Sequence, residues 1–246
     1  IKHTTIIVDG MNLFLRHFAA NPTLSVQGTP MGGVVGMIRA LGTLCDKFAP
    51  TSLVVVWEGG GSSRRRQIYP DYKAHRKPVR LNRFHDGDIP DTVGNRNDQV
   101  RALIGCLKSV GIMQLYVEDC EADDVIAYLC TKRTTQDRIV IVSSDKDYYQ
   151  ILNDYIIIYN PGTKSLVTRR DVALKFNISP VNFALAKALC GDVSDNVKGI
   201  NGIGFKTVAR RLPMLSEHVE YSIDDVINYA KDQMSVSKLK VYNQIA

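Results

Sequence analysis

Three acidic clusters constrain this chain more than anything else in it: Cys-Glu-Ala-Asp-Asp at 120–124, Ser-Ser-Asp-Lys-Asp at 143–147 and Gly-Asp-Val-Ser-Asp-Asn at 191–196. Each lies at the end of an apolar stretch. Two further acids are placed alike, Asp9 after Thr5-Ile6-Ile7-Val8 and Glu58 after Leu53-Val54-Val55-Val56-Trp57. Strand ends and helix starts converge in a folded chain, and like charges that share a cleft repel unless cations neutralise them. Every candidate ligand is an oxygen, which selects hard divalent ions, magnesium or manganese, over zinc. The expected metal ligands are therefore Asp9, Glu58, Glu121, Asp123, Asp124, Asp145, Asp147, Asp192 and Asp195, and the chemistry they suggest is metal-dependent phosphoryl transfer. For one cluster alone a helix cap is the plainer reading. That reading applies to Asp171, and to Asp147 taken singly, but does not cover three clusters together.

The clusters consume many of the 25 acids, yet the chain of 246 residues carries 31 Lys and Arg and a formal charge of +6. Basic residues must therefore dominate away from the site. A negative cleft in a positive surface suits an enzyme whose ligand is a polyanion held by its backbone. Five cysteines, at 45, 106, 120, 130 and 190, show neither a Cys-x-x-Cys pair nor zinc-ligand spacing, so they are expected to be reduced core residues. No apolar run approaches the length of a membrane span and no secretory leader pattern is present. The expectation is a cytoplasmic, soluble protein with no membrane contact.

Short apolar runs at 4–8, 52–57, 113–117, 138–142 and 155–159 alternate with helical patterns at about 31–48, 97–110, 122–131 and 146–152. This alternation predicts an α/β fold with a mostly parallel sheet, in which ligand sites form outside the carboxyl ends of the strands. From about 169 the pattern turns helical, at 169–176, 180–189, 205–212, 223–233 and 235–246. The expected organisation is a catalytic α/β domain over 1–168 and a helical lobe over 169–246 that also supplies Asp192 and Asp195. Residues 73–97 carry prolines, glycines and six Lys or Arg with little amphipathic period, the mark of a long functional loop.

Within the clusters, Asp145 and Asp147 are expected to face one way from an extended segment, and Asp192 and Asp195 to share one face of a helical turn. Gly202 and Gly204 flank one apolar residue and lead into a helix, so their backbone N–H groups can approach a phosphate, with Lys206 and Arg210 extending the positive surface. Around Tyr69-Pro70-Asp71-Tyr72-Lys73, aromatics interleave with cations in a way that suits stacking on an unpaired base. None of the five histidines clusters with another, and none is assigned a general-base role.

Taken in order, Val8-Asp9-Gly10 with Arg16, Tyr69-Pro70-x-Tyr72-Lys73-x-x-Arg76, Glu121-Ala122-Asp123-Asp124, Ser144-Asp145-x-Asp147 and Gly191-Asp192-x-x-Asp195-Asn196 followed by Gly202-Ile203-Gly204 resemble the 5′-nuclease family: bacteriophage 5′-3′ exonucleases and flap endonucleases, and the 5′-nuclease domain of bacterial DNA polymerase I. The resemblance covers nearly the whole chain. It implies a PIN-like α/β domain flanked by helices, a helix-three-turn-helix DNA-binding lobe, and an arch over 73–97 that admits a single-stranded 5′ end. It further implies two magnesium ions, one held by Asp9, Glu121, Asp123 and Asp124 and one by Asp145, Asp147, Asp192 and Asp195, with Lys73 and Arg16 as cationic catalytic residues. Tyr72 matches an aromatic at the arch base, and Arg65, Arg76, Gly202, Gly204, Lys206 and Arg210 are carried over as DNA contacts. Potassium at the Gly-Ile-Gly hairpin is implied in the same way.

Glu58 stands where most of the family has Asp, which shifts a ligand or water contact by one methylene. The arch lacks the helical pattern of many relatives, and is expected to order on DNA. The implied activity is hydrolysis at 5′ flaps and 5′ ends of DNA by a monomer, leaving 5′-phosphates, with any replication polymerase acting in trans. Two alternatives stand beside it. One is a 5′-exonuclease that removes RNA primers from RNA–DNA hybrids, and the other is a non-catalytic binder of DNA structure.

Overall fold

The computed structural model describes residues 3–81, 92–132, 137–236 and 239–246. In chain order its regular elements are β1 (Thr4–Asp9), α1 (Gly10–Ala20), α2 (Gly32–Phe48), β2 (Ser52–Trp57), α3 (Ser63–Ile68), α4 (Thr92–Ser109), β3 (Met113–Tyr116), α5 (Ala122–Thr131), β4 (Arg138–Val142), β5 (Ile156–Asn160), β6 (Ser165–Val167), α6 (Arg169–Phe176), α7 (Phe183–Cys190), β7 (Gly191–Asp192), β8 (Val197–Lys198), α8 (Phe205–Arg211), α9 (Ile223–Val236) and α10 (Lys240–Ile245). They fall into two compact units. The first holds Ile1–Ser62, Lys77–Asp145 and Tyr155–Leu166, and the second holds Ser63–Arg76, Lys146–Asp154 and Val167–Ala246.

The first unit is built on the sheet β3-β2-β1-β4-β5-β6, in which β1 pairs in parallel with β2 and β4, β2 with β3, and β4 with β5. The β-branched runs explain the strands: Ile6, Val8, Val55, Val140 and Val142 are buried to 0% exposure, as central strands covered on both faces must be. From β1 the chain runs outward to β2 and β3 on one side and to β4 and β5 on the other. The strand order therefore reverses between β1 and β4, where ligand crevices form in open α/β sheets. Phe14, Phe18, Met37, Leu41, Leu44, Leu103 and Leu107 from α1, α2 and α4 complete the core of that sheet.

Two local devices shape the crevice side. Gly10 opens α1 directly after β1, and a Cβ there would meet the Trp57 ring and the Val56 carbonyl at 2.8 Å. Gly59 follows β2, and a Cβ there would strike the Val117 carbonyl. Its backbone instead exchanges hydrogen bonds of 2.9 Å with Cys120 and Asp119, which ties the loop after β2 to the loop before α5. At the start of α2 no adjacent side chain caps the helix; the buried Gln99 of α4 reaches across, its Oε1 accepting from the Gly33 amide at 2.9 Å.

The second unit is mostly helical. Its core is an aromatic cluster of Tyr149, Phe176, Phe183 and Phe205 with ring centroids 5.0–6.0 Å apart, in contact geometries that add to their burial. Thr168, the N-cap, and Asp171, the third residue of the helix, form a reciprocal capping box at the start of α6, so Asp171 serves the helix start. Ser222 and Asp225 repeat the device before α9.

Several sequence expectations need correction. The helical pattern at 146–152 is a short 3-10 turn, Asp147–Ile151. The segment 191–196 is not a helical turn: Asp192 closes a two-residue strand, and its Oδ1 accepts from the Ser194 and Asp195 amides. Lys146 takes φ −81 and ψ −13, so the chain turns between Asp145 and Asp147 and does not run extended. Helix α4 begins at Thr92, five residues before the expected start, within the segment assigned to the arch. The rest of that assignment over 82–91, and its expected ordering on DNA, lies outside the described residues. Cys45 and Cys106 are exposed and Cys130 is buried, so the cysteines are not uniformly core residues. Among the described residues no helix is long and apolar enough to cross a membrane.

Candidate metal centre

In the first unit the acidic site grows from the carboxyl ends of β1 and β4 and the start of α5. Asp9 caps α1, its Oδ1 accepting the Asn12 amide at 3.1 Å, while Oδ2 accepts from the Ser143 hydroxyl at 3.1 Å. The Ser143 oxygen in turn accepts the Asp145 amide at 3.1 Å. Asn12 Oδ1 receives both the amide and the hydroxyl of Ser144, at 3.1 and 3.0 Å. The loop after β4 is thus stapled to the first turn of α1, and Ser143, with no exposed surface, fixes where one carboxylate points and where the next begins.

Glu121, Asp123 and Asp124 each bring a carboxylate oxygen to within 4.8 Å of the others. They occupy the N-terminal end of α5, where the helix dipole favours negative charge, but three carboxylates at this spacing still repel. Glu121 is only 3% exposed, and Ser62, in left-handed backbone at φ 53, donates its hydroxyl to Glu121 Oε1. Glu58 Oε2 accepts the first amide of α5, from Ala122, at 3.3 Å. Its carboxylate therefore belongs to the same turn, although Glu58, Asp9 and Asp145 lie outside the 4.8 Å set. An all-oxygen, partly buried donor set of this kind fits a hard divalent ion.

In the second unit Asp147, Asp192 and Asp195 form another set with oxygens within 4.8 Å. Here a cation of the chain's own is present. Lys187 Nζ pairs with Asp147 and lies 2.6 Å from Asp192 Oδ2. Burial alone would push the Asp192 carboxyl up, but the Lys187 and Ser194 hydrogen bonds and the lysine charge together outweigh it and hold the group at about 2. Burial likewise opposes charge on Lys187, yet its two aspartates raise its pKa above the usual lysine value.

Asp195 is held by three residues of the 72–76 turn. Tyr72 donates its hydroxyl to Oδ2 at 3.1 Å, Arg76 pairs with Oδ1 at 2.5 Å, and the Lys73 amide donates to the Asp195 carbonyl at 2.9 Å. Asn196 donates back to the Asp71 carbonyl at 2.9 Å. Lys73 sits in left-handed backbone at φ 57, at a cost of about 1–2 kcal/mol, and Asn196 at φ 61, a conformation that Asn adopts more readily than other side-chain-bearing residues. Tyr72, expected as a stacking platform, is only 8% exposed, and its ring is covered by the Arg65 and Lys73 cations at 5.8 and 4.9 Å.

The remaining expected residues are placed as follows. Arg16 lies two turns beyond Asp9 on the Asp9-Asn12 face of α1, beside the turn after β5, where a Cβ on Gly162 would sit 2.5 Å from its Nη2. Gly202 is in left-handed backbone at φ 77, and Gly204 opens α8 in extended conformation, which any residue can adopt. Both are exposed around the buried Ile203, and Lys206 and Arg210 are exposed one turn apart on α8. Sequence reasoning missed Ser62, Ser143, Asn12 and Lys187. Ser143 carried a signal, since it directly precedes an acidic pair after a strand. Lys187 carried none, because its partners are brought to it by tertiary structure.

Replacing Ser143 by Ala should leave the fold intact and weaken divalent-ion binding at the first cluster about 10- to 100-fold, the usual cost of losing a group that orients a ligand. Titration with manganese followed by electron paramagnetic resonance measures this, and unchanged affinity would remove Ser143 from the site.

A family described as 5′-3′ exonuclease, N-terminal resolvase-like domain, matches residues 4–177. A 5′-3′ exonuclease of Aquifex aeolicus is 33% identical over 240 residues, covering 96% of this chain and 77% of the relative. Flap endonuclease Xni of Psychromonas ingrahamii is 31% identical, covering 98% and 86%. The solved flap endonuclease of bacteriophage T5, in a pseudo-enzyme-product complex with DNA and metal ions, superposes with a TM-score of 0.76 at 21% identity, over 99% of this chain and 84% of that one. At that identity the likeness concerns the fold.

Proposed function

Because this chain belongs to the 5′-3′ exonuclease family and is a metal-dependent nuclease, we propose that it hydrolyses phosphodiester bonds at 5′ flaps and 5′ ends of DNA with two divalent ions, one per acidic cluster, leaving 5′-phosphate products. The observation that carries the reading is the set Glu121, Asp123 and Asp124, three carboxylates gathered within 4.8 Å at the crevice end of a doubly wound sheet. Such repulsion is hard to account for in a protein that only binds DNA.

Magnesium bound at these carboxylates would polarise the scissile phosphate and activate the attacking water. The chain's own residues do the rest. Ser62 and Ser143 hold Glu121 and Asp9 in one orientation. Lys73, carried over from the resemblance, supplies positive charge for the phosphate as negative charge builds on it. Lys206 and Arg210, with the exposed backbone around Gly202, take the duplex by its phosphates without reading sequence. Potassium at that turn, a monomeric state, a replication polymerase as partner and action on RNA–DNA hybrids rest on the resemblance alone.

The test is product mapping on 5′-labelled flaps of DNA and of RNA, each with a free and with a protein-blocked 5′ end. The proposal expects release of the free DNA flap and suppression by the block. Preferential cleavage of the RNA flap would favour primer removal, and indifference to the block would contradict entry through the 5′ end.

A further inference from the structure

Away from the carboxylates, the first unit carries a cavity of about 350 Å³ between α1, α2 and the turn after β5, within the size range of small-ligand sites. Its floor is apolar, with Ala40, the buried Leu44 and the buried Tyr159, and its rim carries three cations, Arg16, Arg39 and Lys164. None of the three forms an ion pair among the described residues. The turn that presents Lys164 is itself organised: Asn160 Oδ1 accepts the Gly162 and Thr163 amides at 2.8 and 3.3 Å, and Lys164 sits at φ 54. Three uncompensated charges converging on an apolar hollow repel one another. An anion with an apolar part attached would relieve that repulsion and cover the floor.

We propose that this cavity is a nucleotide site: a phosphate bridges Arg16, Arg39 and Lys164, and the attached sugar and base lie against Ala40, Leu44 and Tyr159. The chemistry is that of a phosphate ester, whether carried by a free mononucleotide or by a nucleotide at the end of a strand. Guanidinium groups suit it, because their planar forks match phosphate oxygens two at a time.

The experiment uses the whole chain in EDTA, which silences binding through metal at the carboxylates. Thymidine 5′-monophosphate, thymidine and inorganic phosphate are titrated by calorimetry against wild type, Arg39→Glu with Lys164→Glu, and Ala40→Leu. The charge variants lie on exposed positions, and the filling variant leaves every charge in place, so each controls for misfolding in the other. The expected result is that the monophosphate binds more tightly than phosphate or thymidine. It should weaken about tenfold or more in the charge variant and several-fold on filling the floor, whereas phosphate weakens only with charge. Parallel titrations with short single strands, with and without a terminal phosphate, separate the two sources: strand preference identifies a strand-end site, and monophosphate preference a free-nucleotide site. No binding of any phosphate ester, or binding unaffected by the charge variant, would overturn the proposal.

Discussion

Replacing Asp123 and Asp124 together by Asn should reduce flap cleavage by about 10³-fold or more, while DNA binding and thermal stability hold. The separation follows from what the two side chains do locally. Asp123 Oδ1 accepts the Asp124 amide at 2.8 Å, and the carbonyl oxygen of Asn can keep that bond. The variant loses two negative charges at a helix start, a cost of about 0.3–1 kcal/mol each at exposed positions, but it also relieves repulsion among three carboxylates within 4.8 Å. The two effects are of similar size and opposite sign, so little net change in stability is expected. Catalysis has no such compensation, since neutral amides bind a hard divalent ion far more weakly than carboxylates do. Near-normal cleavage by this variant would show that the α5 cluster is a helix-terminal charge patch and not a metal site.

The second large effect concerns Lys187. In the absence of metal its ammonium is the cation that Asp147 and Asp192 share, so Lys187→Met should cost about 2 kcal/mol in EDTA at neutral pH, between an exposed pair and a fully buried one. A divalent ion should then restore the variant more than it stabilises the wild type, because the ion no longer has to displace an ammonium group. The sign with pH is fixed by Asp192, whose folded value of about 2 lies below the ordinary aspartate value of 3.8 that holds in the unfolded chain. Its contribution is fully present above about pH 4 and is lost as pH falls toward 2. The variant should show a smaller acid-side step, because the Ser194 hydrogen bonds to Asp192 remain. Thermal unfolding of both proteins from pH 2 to pH 7, with and without manganese, reads all three effects. Equal stability in EDTA, or equal gains from manganese, would mean that Lys187 is incidental to the cluster.

How much of this was legible beforehand depended on whether the signal was local. The strands of the sheet announce themselves because β-branched runs such as Ile6-Ile7-Val8 and Val54-Val55-Val56 are short and are followed within two residues by an acid, Asp9 or Glu58. The acids at their ends were therefore placed correctly relative to the fold, and the helix-cap reading of Asp171 matches its place in the capping box of α6. Local rules failed where the chain changes direction. Asp145 and Asp147 are neighbours in sequence, but Asp147 opens a 3-10 turn and lies with Asp192 and Asp195, so alternation could not describe them. Asp192 and Asp195 are brought together by an Asx-type turn and the pairing of β7 with β8, for which Gly191 at φ 72 is needed. Tyr72 shows the same limit. Its flanking cations suggested an open stacking face, but burial of the ring and its bond to Asp195 depend on a residue 123 positions away.

The most direct test of the account is the initial rate of cleavage of a 5′-labelled DNA flap measured against free magnesium, from EDTA upward. The account predicts no cleavage in EDTA, a steep rise as ions fill two sites, and products that carry a 5′-phosphate. Cleavage that persists in EDTA, or tight flap binding with no cleavage at any magnesium or manganese concentration, would contradict it.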